Sequence, residues 1–268
     1  MMPEPAPTVR ELLAFYLEAG VDCALAEEPV DRLAELDAPP PAPRASPVEA
    51  PRPVAAPAVM RGEAAPAPDV AIASAREAAR TAPTLEALRE LMQTFEGCAL
   101  KHTATRLVFA DGNPQARIMF VGEAPGRDED IEGLPFVGRS GKLLDLMIGA
   151  IGLNRTTAYI TNVIPWRPPG NRTPTPQETQ ICLPFIQRHI ELVNPDVLVT
   201  LGNPSTQTLL STREGIMRTR GRWFDYDTGQ RAIRALPTFH PAYLLRSPSY
   251  KRLAWQDLRA IAKVLAGS

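Results

Sequence analysis

Apolar positions along the chain fall into two kinds of run. Short, near-continuous apolar stretches occur at 117–121 (RIMFV), 158–161 (AYIT), 196–201 (DVLVTL) and 234–239 (RALPTF). Between them, at 140–152, 176–193 and 203–211, apolar residues return every third or fourth position, as in a helix with one buried face, and a last such stretch covers 250–265. Strands that are apolar throughout are covered on both faces, and strands alternating with helices pair in parallel. Right-handed crossovers then predict an α/β fold: a three-layer α/β/α sandwich around a four-stranded parallel sheet.

Upstream the pattern changes twice. Residues 8–36 carry helical spacing after a candidate Thr8 cap, which predicts an N-terminal helical segment over 1–37. Residues 38–69 consist mostly of alanine and proline (APPPAPRASPVEAPRPVAAPAVMRGEAAPAPD spans them). Such a stretch has nothing with which to build a core, and proline removes backbone donors, so it reads as a disordered linker. A helix is expected over about 70–95, and the main domain over 70–268.

Composition narrows the class. Of 268 residues 44% are hydrophobic, yet no apolar run approaches the length of a membrane span. The first twenty residues lack the basic start of a secretory signal. Three widely spaced cysteines, Cys23, Cys98 and Cys182, do not make a disulfide framework. These features point to the cytoplasm, in association with the nucleoid, and make the two Asn-Arg-Thr sequons irrelevant. A monomer is the default expectation. The net charge of −1 conceals a division: residues 1–86 carry −7 and residues 87–268 carry +6. A basic body suits a polyanionic partner.

Candidate chemistry gathers where the strands end. The first runs into Gly122-Glu123-Ala124-Pro125-Gly126, the second into Thr161-Asn162, the third into Leu201-Gly202-Asn203, and the fourth into Phe239-His240-Pro241. Ligands of open parallel sheets bind beyond the carboxyl ends of the strands. Glu123, Asn162 and His240 are therefore expected on one rim. Asn162 has the donor and acceptor that reading a base edge requires. Phe136, in a loop of prolines and glycines, could offer a rigid face for stacking. Asp128, Glu129, Asp130 and Glu132 read as a solvated loop or helix start. The glycine-rich stretch is not GxxxxGK[ST], which argues against a triphosphate site.

The segments GEAPGRDEDIEGLPFVGRSGKLLD, ITNVIPWRPPGNRTPTPQE and HPAYLLR resemble the uracil-DNA glycosylase superfamily, and most closely its family 4, the iron–sulfur type. The likeness covers roughly residues 90–265. It implies hydrolysis of the N-glycosidic bond of uracil in DNA, leaving an abasic site and starting base-excision repair. Within it, Glu123 is the acid of the water-activating motif. Phe136 stacks on the uracil, Asn162 reads its edge, and His240 bonds its O2. Ala124 stands where a bulky side chain could exclude the methyl group of thymine. Gly122, Pro125, Gly126 and Arg172 are implied DNA contacts. So is the loop from Pro241 to Arg246, with Tyr243, Leu244 or Arg246 filling the gap left by the flipped nucleotide. No lysine stands among these implied site residues to form a Schiff base, and PPGNRTPTP holds no histidine to trap the sugar covalently.

One departure stands out. The iron–sulfur members use four cysteines, whereas here only Cys98 and Cys182 occupy those positions, with Lys101 and Trp166 in place of the others. Two thiolates cannot hold a [4Fe–4S] cluster. No cluster, no other cofactor and no metal are expected, and Lys101 and Trp166 should fill the vacated space. The expected partners are uracil-containing or abasic DNA and, for the N-terminal helix, a protein. The competing readings are a binding protein for uracil or abasic sites with weak turnover, and an adaptor acting through residues 1–37.

Overall fold

The computed structural model describes residues 68–267. The expected N-terminal helix and the proline-rich linker, apart from its last two residues, lie outside the described residues. Within them the chain forms β1 (Asp111–Gly112), β2 (Ile118–Gly122), β3 (Tyr159–Asn162), β4 (Val197–Leu201), β5 (Phe224–Asp227) and β6 (Ala232–Thr238). Its helices are α1 (Pro68–Thr81), α2 (Leu85–Thr94), α3 (Leu100–Thr103), α4 (Arg127–Glu132), α5 (Arg139–Gly149), α6 (Pro176–Val193), α7 (Asn203–Leu210), α8 (Ile216–Thr219), α9 (Pro241–Arg246) and α10 (Lys251–Leu265).

The four apolar runs are the four parallel strands, in the order β3-β2-β4-β6. The sheet nevertheless has six strands: β1 and β5 add antiparallel edges, giving β1-β3-β2-β4-β6-β5. Neither edge has the apolar signature. β1 is two residues long, and in β5 only Tyr226 is buried while Asp225 and Asp227 face out. A strand covered on one face alternates instead of running apolar.

Alternation along the central strands builds the two cores. Met119, Val121, Tyr159 and Leu198 face a layer formed by α1, α2 and α6. Ile118, Phe120, Ile160 and Val199 face α5, α9 and α10. In α1 the buried positions are Ala71, Ala75 and Ala79, one turn apart. Their small side chains let α1 lie close along α6. In α10 Ala254, Asp257, Leu258 and Ile261 form the inward face. The helix expected over 70–95 is two helices. Pro83 disfavours helical backbone at Ala82, and Thr84 restarts the chain by accepting a hydrogen bond from Ala87 N–H at 3.2 Å. Among the described residues no helix is long and apolar enough to cross a membrane.

Candidate active site

A cavity of ≈590 Å³ opens at the carboxyl ends of β2, β3, β4 and β6. Its walls bring together Glu123, Phe136, Asn162 and His240, as the strand ends require. Ala124, Pro125, Gly126, Arg172, Tyr243 and Arg246 also line it.

Asn162 ends β3, directly opposite Gly122 of β2. Its side chain is buried, and Oδ1 has no hydrogen-bond partner in the protein. A buried carbonyl oxygen without a donor is costly, so this oxygen is set to receive a donor from whatever enters the cavity. Beyond Asn162 the strand stays tied to β2: Val163 N–H donates to Gly122 O (3.0 Å) and Ile164 N–H to Glu123 O (2.9 Å).

Phe136 is held in place by its surroundings. It has φ 56°, in the left-handed region that a bulky residue seldom adopts. Three features stabilise that conformation. Arg155 donates to the carbonyl oxygens of Pro135 and Phe136 while paired with Asp111 (2.6 Å) and Asp145 (2.9 Å). Gly141 leaves room for the Phe136 carbonyl, since a Cβ there would lie 1.7 Å from it. Glu129 accepts from the N–H groups of Val137 and Gly138, both at 3.1 Å, and from that of Gly126 at 3.1 Å. The ring, buried, stands 5.5 Å from the His240 imidazole, tilted by 31°.

His240 precedes α9, and its Nδ1 accepts from Ala242 N–H at 3.1 Å. The neutral ring therefore carries its proton on Nε2. Burial and the nearby Arg246 charge push its pKa down to about 4, so the ring is neutral at pH 7. Gly202 (φ 95°) packs against it, where a Cβ would sit 3.0 Å from His240 Cβ. Behind β6, Asp257 accepts from Thr238 Oγ1 (2.7 Å) and is paired with Arg220, which anchors the strand leading into His240 to α10. Glu123 is half-buried, and desolvation raises its carboxyl pKa.

Several expectations need correction. The segment 241–246 is a short helix rather than a loop. Its period turns Pro241 and Leu244 inward, Leu244 being only 1% exposed, and leaves Leu245 and Arg246 outside. Leu244 thus belongs to the core and cannot fill a gap in DNA from this position. Gly122 is buried in β2 and is not a surface for DNA. Arg172 lies at the rim with its guanidinium held by both Glu178 oxygens (2.6 and 2.9 Å). Of the four acids read as solvated, Glu129 and Asp130 are buried. Asp130 accepts from Thr105 N–H (2.8 Å) and Thr105 Oγ1 (2.9 Å). Helical spacing within α4 directs these two inward and Asp128 outward. Sequence reasoning missed Arg155, Glu129 and Asn203. Only Asn203 carried a signal, its place at a strand end, and its Oδ1 is also buried without a partner.

The donor set at the cysteines does not fit an iron–sulfur cluster. Cys98 and Cys182 are buried as free thiols, their sulfurs 3.9 Å apart and sharing a weak S–H···S hydrogen bond. Trp166 is buried, and Lys101 pairs with Glu96. The remaining described histidine nearby, His102, is exposed beside Glu96. Among the described residues no group of three metal-ligating side chains is gathered anywhere.

Residues 109–259 match the family model described as the uracil DNA glycosylase superfamily. The chain is 39% identical over 186 residues to a type-4 uracil-DNA glycosylase of Sulfurisphaera tokodaii, covering 68% of this chain and 84% of that protein. It is 41% identical over 177 residues to the type-4 enzyme of Thermotoga maritima, covering 65% and 91%. Against that of Archaeoglobus fulgidus it is 39% identical over 181 residues, covering 66% and 90%.

Proposed function

For a chain that belongs to the uracil DNA glycosylase superfamily, we propose hydrolysis of the N-glycosidic bond of uracil in DNA, leaving an intact abasic site as the first step of base-excision repair. The orphaned Asn162 Oδ1 carries this reading. Uracil N3 bears a hydrogen that this oxygen accepts. Cytosine N3 is an acceptor at the same place, so two lone pairs would face each other in a buried pocket. The Asn162 amide N–H then meets the uracil O4 acceptor and disfavours the amine of cytosine.

The chemistry follows from the remaining walls. Phe136 stacks on the extruded base. As the bond between C1′ and N1 breaks, its electron pair stays with uracil and charge builds at O2. His240 donates its Nε2 proton in a hydrogen bond to that oxygen. A neutral imidazole suits the role, because Nδ1 stays free to accept from Ala242. Glu123 orients a water toward C1′ and takes its proton, and its negative charge favours the cationic sugar. Its raised pKa, from desolvation, makes it a better base than a solvated carboxylate. No step uses an iron–sulfur cluster, and we take the protein to lack one because two thiols are too few ligands.

A uracil-containing oligonucleotide incubated with the protein should become alkali-labile at the uracil position and release free uracil. Borohydride should trap no protein–DNA adduct. A trapped adduct would contradict direct hydrolysis by water. Tight binding without uracil release would instead favour a lesion-binding protein.

A further inference from the structure

Beside the catalytic cavity lies a second one of ≈590 Å³, and Asn203 and Ile216 line both. Its other walls include Arg213, Met217 and Arg218, from the turn after α7 and from α8. Its one acid, Glu214, is already held by Arg222 at 2.7 Å. Arg213 and Arg218 are exposed and take part in no ion pair among the described residues. Met217 is 53% exposed and adds an apolar surface to this wall. Asn203 Oδ1 is buried without a donor.

We propose that this second cavity holds the nucleotide that adjoins, in the same strand, the one whose base enters the catalytic cavity. The inference rests on the glycosylase reading. Consecutive nucleotides are joined by a single phosphodiester, and the two cavities are separated by a wall of shared residues. Two unpaired arginines supply charge for the flanking phosphates. Ile216 and Met217 offer an apolar face to an unstacked base. Asn203 offers an acceptor to a base-edge amine. The phosphates of an oligonucleotide satisfy the arginines and its base covers the methionine, which a free inorganic anion would not do.

The test uses the full-length protein and short single-stranded oligonucleotides carrying a stable abasic analogue, either internal or at one end. Binding is followed by fluorescence anisotropy across a salt series. For the parent protein, removing the neighbour on one side of the analogue should weaken binding about tenfold, and removing it on the other side much less. In Arg213→Ala/Arg218→Ala the slope of log affinity against log salt should shrink by about 1.4, at roughly 0.7 per lost phosphate contact on a single strand. The one-sided penalty should shrink with it. Met217→Ala should reduce the penalty while leaving the salt slope as it was. Arg76→Ala/Arg259→Ala, which removes two exposed charges outside both cavities, should change neither quantity. Equal effects of the two double variants would mean diffuse electrostatics and overturn the subsite. So would an unchanged one-sided penalty in Arg213→Ala/Arg218→Ala. Uracil release by the parent protein is measured alongside. If release is normal and the penalty unchanged, the subsite falls alone, whereas absence of release removes the glycosylase reading on which it stands.

Discussion

Gly122 and Asn162 face each other across β2 and β3, and the missing side chain of the glycine is the space the amide occupies. A Cβ on Gly122 would lie 2.3 Å from Asn162 Oδ1 and 2.6 Å from Phe136 Cζ. Both neighbours belong to the base pocket and neither is the free end of a flexible chain. Gly122→Ala should therefore displace the amide and the ring together. Uracil release should fall by at least about 100-fold, the scale set by losing one oriented polar contact in a transition state. Circular dichroism should report a folded protein, and normal release would show that the pocket tolerates the shift.

Glu129 serves the same pocket from behind. Three backbone N–H groups, those of Gly126, Val137 and Gly138, donate to its carboxylate. Glu129→Ala leaves them without a partner and should destabilise the protein by about 3 kcal/mol, measured by urea unfolding. The loss of base binding should exceed what destabilisation alone explains, because the loop that carries Phe136 is released. A variant with ordinary uracil release at a temperature where it remains folded would refute this link.

Arg155 supports Phe136 from the other side through two carbonyl oxygens. Arg155→Lys keeps the charge but cannot reach Asp111, Asp145 and both carbonyls at once. Its expected signature is a raised KM for uracil-containing DNA with a smaller change in kcat. The reverse split would indicate a direct role in the chemistry.

Two ionisations should shape the pH dependence. Burial raises the Glu123 pKa above its ordinary 4.5, and burial with Arg246 lowers that of His240 to about 4. The acid Glu123 is inactive as a base, so the single-turnover rate should rise with pH through a midpoint above 4.5 and then level off through pH 8. In Glu123→Gln the residual rate should lose that limb and keep only the fall near pH 4. An acid limb unchanged by the substitution would assign it to another group.

Stability should follow His189, which is buried, and His240, which is partly so. His189 is stacked on Phe109 (4.3 Å between ring centres) with its Nε2 2.9 Å from Tyr159 Oη, and burial lowers its pKa to about 3. His240 shifts in the same direction. Protons bind the unfolded chain first, near the ordinary value of 6.5. Stability is therefore fully present above pH 6.5 and is lost progressively as pH falls toward 3. His189→Gln should lower the melting temperature at pH 7 but flatten its decline between pH 6.5 and 4. An equally steep decline would place the linked protons elsewhere.

The legible parts of the fold were those with a strong apolar signal. The four parallel strands and the helices between them stand close to where the runs of Val, Ile, Leu and Phe put them, and Glu123, Asn162 and His240 meet because they end those strands. The edge strands were hidden by length in one case and by alternation in the other. Leu244 and Arg246 were indistinguishable as neighbours in a loop; only the helical turn at 241–246 sends one inward and the other out. Glu129 and Arg155 were invisible for a different reason. The contacts that tie them to the Phe136 loop are with backbone atoms 8 to 20 residues away, and such contacts leave no periodic trace.

The most direct test is single-turnover excision from an oligonucleotide with one uracil, comparing the parent protein with Asn162→Ala, His240→Ala and Glu123→Gln. The expected result is efficient release by the parent protein and a loss of about 100-fold or more in each variant, with cytosine untouched by the parent. Release that survives loss of both Asn162 and His240, or no release from the folded parent protein, would contradict a glycosylase built on these three strand ends.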